Sequence, residues 1–169
     1  MRKLTLVATA LALTGCLALS ACNNQSGDNQ QQASQQPQQL TKPTDPNDTK
    51  AWNAYLGQIV QNNMQGMSAP QPYPYLVPAG DSDDQKDARD RQLSNVQDTV
   101  ARGVLPGNLL VFAGPDSGKT ADLLTTAFKD AKPGSFKGVI VLFIGDKADG
   151  QRVDDVLKPT DATTRFVQM

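Results

Sequence analysis

The C-terminal part of this chain predicts a small α/β domain: a three-stranded, mostly parallel βαβαβ sheet, a thioredoxin-like or Rossmann-like half, with two helices before it. Leu109–Ala113 and Val139–Ile144 are unbroken apolar runs, as expected of strands covered on both faces. Each run breaks at a glycine into a helical pattern, with Ala121, Leu124, Ala127 and Phe128 after the first and Val153, Val156 and Leu157 after the second. Thr163-Thr164-Arg165-Phe166-Val167 then alternates like an edge strand, and an exposed last strand of a short sheet can pair between chains.

Composition narrows the chemistry. The 169 residues contain no His, every acid is an Asp, and both cysteines, Cys16 and Cys22, lie near the start. A domain beginning later therefore has no imidazole and no thiol, which argues against Cys/His zinc sites, Ser-His-Asp triads and cysteine nucleophiles. Acids and bases nearly cancel and no Lys/Arg run is present, so no nucleic-acid footprint is expected. No cofactor and no metal site are expected.

Residues 1–21 have the layout of a secretory signal peptide, with Arg2 and Lys3 ahead of an apolar run that ends in small residues. Leu19-Ser20-Ala21-Cys22 resembles the lipobox of bacterial lipoproteins. That resemblance implies cleavage before Cys22, lipidation of its thiol and acylation of its new amino group. Asn23 after the cysteine implies, by the same resemblance, sorting to the outer membrane, with the body in the periplasm or at the cell surface. Leu13-Thr14-Gly15-Cys16 is a weaker match that would leave Leu17-Ala18-Leu19 on the mature end. Each buried CH₂ of an acyl chain contributes about 0.8 kcal/mol, so several chains hold a protein on a bilayer essentially permanently.

Residues 22–48 read as the lipidated cysteine and a Gln/Asn/Pro tether with too little apolar surface to offset its ordering entropy. A flexible tether of this length spans roughly 25–30 Å root-mean-square. Residues 49–80 read as an amphipathic helix and a proline strap. Asp48 or Thr49 opens the helix, which runs to about Met67 with Trp52, Tyr55, Leu56, Ile59, Val60 and Met64 on one stripe. That stripe either docks on the domain's own sheet or offers Trp52, Tyr55 and Ile59 to an envelope protein partner. Its Asn/Gln polar face argues against a membrane-surface helix. Ala69–Pro78 is expected to be extended, because alternating prolines exclude helix and favour polyproline II.

Residues 81–169 read as the α/β domain. Its first helix opens after Gly80 and ends at Gly103, with Leu93, Val96 and Val100 on its apolar face. The acids at its start suit the macrodipole better than a calcium loop, since Gln92 stands where an EF-hand needs Glu.

Both strand–helix units share Phe-x-Gly, at Phe112-Ala113-Gly114 and Phe143-Ile144-Gly145. Right-handed crossovers put both glycine loops at the carboxyl edge of the sheet, where open α/β folds bind ligands. The candidate ligand site there is Asp116, Ser117, Lys119, Thr120 and Asp146, with Lys147 beside it. Ala113-x-x-x-x-Gly118-Lys119-Thr120 satisfies a relaxed phosphate-binding loop, although Pro115 removes an N–H such a loop would use. Val111 to Thr120 also resembles the strand and active-site turn of thioredoxin-like proteins, with Ser117 and Thr120 where the two cysteines belong. That resemblance implies the fold without thiol exchange. The plain alternative makes the glycines a turn, Ser117 or Asp116 a helix cap and Lys119 a solvated charge. The function expected from these readings is a non-catalytic binding, assembly or accessory module of the cell envelope. The alternative is a small-ligand binder or an enzyme acting through Asp116, Lys119 and Asp146.

Overall fold

The computed structural model describes residues 41–169; the segment read as a signal peptide, Cys22 and the segment read as a tether up to residue 40 lie outside the described residues. The element order is α1 (Thr49–Gln61), β1 (Tyr73–Leu76), α2 (Asp83–Arg102), β2 (Leu109–Ala113), α3 (Ser117–Phe128), β3 (Ile140–Gly145), α4 (Lys147–Leu157), a short 3₁₀ turn and β4 (Thr163–Gln168). The fold is α/β, and the sheet is wholly parallel in the order β1-β2-β3-β4. It has one strand more than the three expected.

The extra strand comes from the proline strap. Val77 N–H donates to the Ala113 carbonyl at 2.8 Å, so by alternation the N–H groups of Tyr75 and Tyr73 also point at β2. Pro72, Pro74 and Pro78 occupy the opposite parity, where an N–H would point away from the sheet. Alternating prolines therefore remove only donors that an edge strand does not use. The outward carbonyls are covered as well, Leu76 by Gln92 Nε2 at 3.1 Å and Pro78 by Arg89 at 3.1 Å, both from α2.

Every residue of β2 and β3 is buried, as their continuous apolar runs require. Leu110, Phe112, Val141 and Phe143 face α2, α3 and α4, packing with Val96, Leu124, Phe128, Val153 and Leu157. Leu109, Val111, Ala113, Ile140, Leu142 and Ile144 face the other way and pack with Trp52, Leu56 and Val60 of α1. The three crossovers lie on one face and step in one direction across the sheet, so they share one hand.

α1 ends at Gln61, short of Met67. Asn63 Nδ2 bonds the Ile59 carbonyl at 2.8 Å, Gly66 adopts φ +79°, and Arg165 of β4 takes the Asn63 and Gln65 carbonyls. These contacts finish the last turn from outside the helix. At the other end, Trp52 Nε1 donates to the Asp45 carbonyl at 2.9 Å and Asp48 caps α1. Asp45 to Asp48, grouped with the tether by composition, thus form a turn fastened to the helix. α2 runs from the Ser82 cap to Gly103, which has φ +80°.

Candidate functional site

The carboxyl ends of β2 and β3 bring Asp116, Ser117, Lys119, Thr120 and Asp146 to one edge of the sheet. What they do there is set by their hydrogen bonds. Asp116 is the N-cap of α3, its carboxylate accepting from Lys119 N–H at 2.9 Å. Thr120 is fully buried, and its hydroxyl donates back to the Asp116 carbonyl at 2.8 Å. The Ser117 hydroxyl accepts from Asp146 N–H at 2.7 Å and donates to Asp149 at 2.5 Å. Ser117 therefore pins the start of α3 to the start of α4. Asp146 is exposed, and its carboxylate makes no capping bond in α4.

Lys119 does not project into an empty loop. Its ammonium donates to the Ala79 carbonyl at 2.5 Å and pairs with Asp81 at 2.7 Å, fastening α3 to the segment after β1. The Lys119 hydrogen bond and charge hold the Asp81 carboxyl below its ordinary value of 3.8. Because this carboxyl is depressed in the folded protein, its contribution to stability is present above that ordinary value and is lost as pH falls through the lower folded value. Asp81 in a Lys119→Met variant is expected to titrate closer to its ordinary value, read by carboxyl NMR; an unchanged Asp81 titration would remove the ion pair as the cause.

Sequence reasoning missed Arg152. This side chain of α4 bonds Asp122 at 2.5 Å, the Gly118 carbonyl at 2.9 Å and Asp149 at 2.9 Å. Asp122 first, and then Asp149, raise its already high pKa against the opposing effect of burial. It stays charged and ties α3 to α4. An Asp and an Arg three apart on a helix read only as a solvated pair, so the sequence carried no sign of contacts thirty residues away.

The two glycines of the Phe-x-Gly repeat also have packing roles. A Cβ on Gly114 would lie 2.5 Å from the Val77 carbonyl oxygen, and one on Gly145 would lie 2.5 Å from both the Phe143 ring and the Ser117 hydroxyl. The repeat lets strand ends and helix starts approach closely.

Ligand crevices in open α/β sheets form where the strand order reverses and neighbouring crossovers leave to opposite faces. This sheet runs in chain order and has no reversal. The surface carries grooves of about 580 Å³ beside β1 and α2, about 490 Å³ between α4 and β4, about 410 Å³ between the start of α1 and the end of β1 beside Pro115, about 390 Å³ between the ends of α2 and α3, and about 370 Å³ between α1 and β1. None of these is lined by Asp116, Ser117, Lys119, Thr120 or Asp146, although the third reaches Pro115 of the same loop. Among the described residues no group of three or more acidic or thiol side chains is placed to hold a metal ion, and no helix is long and apolar enough to cross a membrane.

Of the residues proposed to meet a partner, Trp52 is 2% exposed and packed on the sheet. Tyr55 and Ile59 are half-buried at the margin of the same cluster. The stripe's centre is thus core, leaving only its flank on the surface. Comparison with protein-family models, curated proteins and solved structures finds no match.

Proposed function

We propose that this chain is an outer-membrane lipoprotein, anchored through Cys22, whose domain acts as a non-catalytic binding or assembly module of the cell envelope. The anchor rests on Leu19-Ser20-Ala21-Cys22 at the end of an apolar export segment. The observation that carries the non-catalytic part is the closure of the candidate site: Ser117 spends its hydroxyl joining α3 to α4, Lys119 its ammonium joining α3 to the segment after β1, and Thr120 its hydroxyl on the Asp116 carbonyl at the start of α3 itself. A catalyst without His, Glu or Cys in its body would have to work with Asp and Lys, and the best-placed Lys is already paired. The surface left for a partner is the flank of α1 bearing Tyr55 and Ile59, with Trp52 supporting it from beneath.

The test is extraction of the tagged, lipidated protein in mild detergent, with co-purifying proteins identified beside a Cys22→Ala control. Labelled palmitate is expected in the wild type and absent from the control, which should leave the membrane fraction. A stoichiometric envelope protein is expected to be lost on Tyr55→Ala/Ile59→Ala. Label retained in Cys22→Ala would sink the anchor. A partner indifferent to the α1 pair would move the binding surface elsewhere, and saturable ATP or GTP binding lost on Lys119→Met would reinstate the ligand-site alternative.

A further inference from the structure

The two edges of this sheet are not equivalent. At β1 every position whose N–H would point outward is proline except Leu76, and the Leu76 and Pro78 carbonyls are taken by Gln92 and Arg89. Among the described residues nothing comparable guards β4. Thr163 N–H donates to the Val139 carbonyl at 2.8 Å and Met169 N–H to the Gly145 carbonyl at 3.2 Å, so the odd positions of β4 face β3. The N–H and C=O groups of Thr164, Phe166 and Gln168 therefore point outward, and no described residue pairs with them. Arg165, the one charge in β4, is drawn back to the Asn63 and Gln65 carbonyls and does not stand guard at the edge.

The side chains on this edge also lack cover. Phe166 is 43% exposed, one of three exposed large hydrophobic residues among those described. One side of its ring lies against Gly150 of α4, where an added Cβ would come within 2.9 Å, and it stacks beside Phe143 at 6.2 Å. Together with Gly150 and Phe143 it lines the groove of about 490 Å³ between α4 and β4.

We infer that two copies of this chain pair through their β4 strands, antiparallel, about a two-fold axis at Phe166. In that register Phe166 meets its own copy and Thr164 meets Gln168 of the other chain, so every outward N–H finds a carbonyl. Antiparallel pairing also gives the charges opposite partners. α4 returns along the sheet, so Lys147 lies at the Gln168 end of the groove and Asp154 at the Thr164 end, where it accepts from the Thr164 hydroxyl at 2.7 Å. The two-fold sets Lys147 of each copy facing Asp154 of the other, and among the described residues neither has an ion pair of its own. The two Phe166 rings meet between the two α4 helices. Because β1 is closed by proline, a head-to-tail β4-to-β1 chain is blocked, and the assembly ends at an isologous dimer. This inference does not rest on the lipid anchor.

Sedimentation equilibrium of the full chain in a density-matched detergent, with the Cys22→Ala chain beside it, tests the pairing. A dimer is expected in both. Gln168→Pro removes a donor that points outward and takes no ladder bond from β3, so it should leave the fold intact while weakening the dimer by about tenfold or more. Should that variant unfold, Lys147→Asp and Asp154→Lys carry the test: each alone should weaken association by about tenfold, and the two together should restore it. A monomer at every concentration, a dimer that neither the proline nor the charge changes move, or a monomer that takes up another protein's strand would each overturn the inference.

Discussion

Replacing Trp52 with alanine is expected to destabilise the domain by about 3–5 kcal/mol, the usual cost of deleting a fully packed large aromatic side chain. The ring is 2% exposed and sits with Leu56 and Val60 on the face of the sheet formed by Leu109, Val111, Ile140 and Leu142. It meets Tyr55 edge-on at 5.9 Å, and its N–H holds the Asp45 carbonyl. α1 is the only helix packed on that face among the described residues, so no neighbouring helix can close over the space. Trp52→Phe should keep most of the packing and lose about 1 kcal/mol for the hydrogen bond. As Trp52 is the chain's only tryptophan, urea unfolding must be followed by circular dichroism rather than fluorescence. A loss below about 1 kcal/mol in the alanine variant would mean that the ring is not part of the folding core, and would return Trp52 to the list of partner contacts.

Gly114→Ala is expected to cost about 1–3 kcal/mol by overpacking. The new methyl would fall 2.5 Å from the Val77 carbonyl oxygen and 2.8 Å from the Thr120 hydroxyl. Neither neighbour gives way cheaply, since Val77 belongs to the backbone that pairs with Ala113 and Thr120 is fully buried and bonded to Asp116. Gly57→Ala in α1 is the matched comparison. Nothing lies within 4 Å of a Cβ there, so alanine should stabilise the helix by about 0.5–1 kcal/mol. Denaturation midpoints for the pair are expected to move in opposite directions. A neutral Gly114→Ala would mean that β1 sits farther from the α3 turn, and the structural reading of the Phe-x-Gly repeat would fall with it.

Much of the sheet was legible because burial on both faces leaves a continuous apolar run, and β2 and β3 carry one each. The starts of α2 and α3 were legible for the same local reason, since a short polar side chain there can bond an N–H three residues on; of the two candidates at α3 it is Asp116 that caps, while the Ser117 hydroxyl is spent on Asp146 and Asp149. β1 was not. Its alternating prolines satisfy polyproline II and an edge strand equally well, and the choice depends on which parity faces β2, a property of two segments nearly forty residues apart. Lys119 shows the same limit. Its place in a glycine turn suggested a phosphate, yet its partners Ala79 and Asp81 lie on a segment brought to it only by the β1–β2 pairing.

Local patterns were enough for the two buried strands, the helices around them, and a body without imidazole or thiol, with its cysteines confined to positions 16 and 22. Long-range packing settles that Trp52 belongs to the core, that the candidate loop is closed by its own chain, and that, among the described residues, one edge of the sheet is sealed while the other is open. Periodicity and capping are set by residues within a turn or a strand of one another. The partner of a lysine and the outward parity of a strand are set by register between distant segments, which no local pattern encodes.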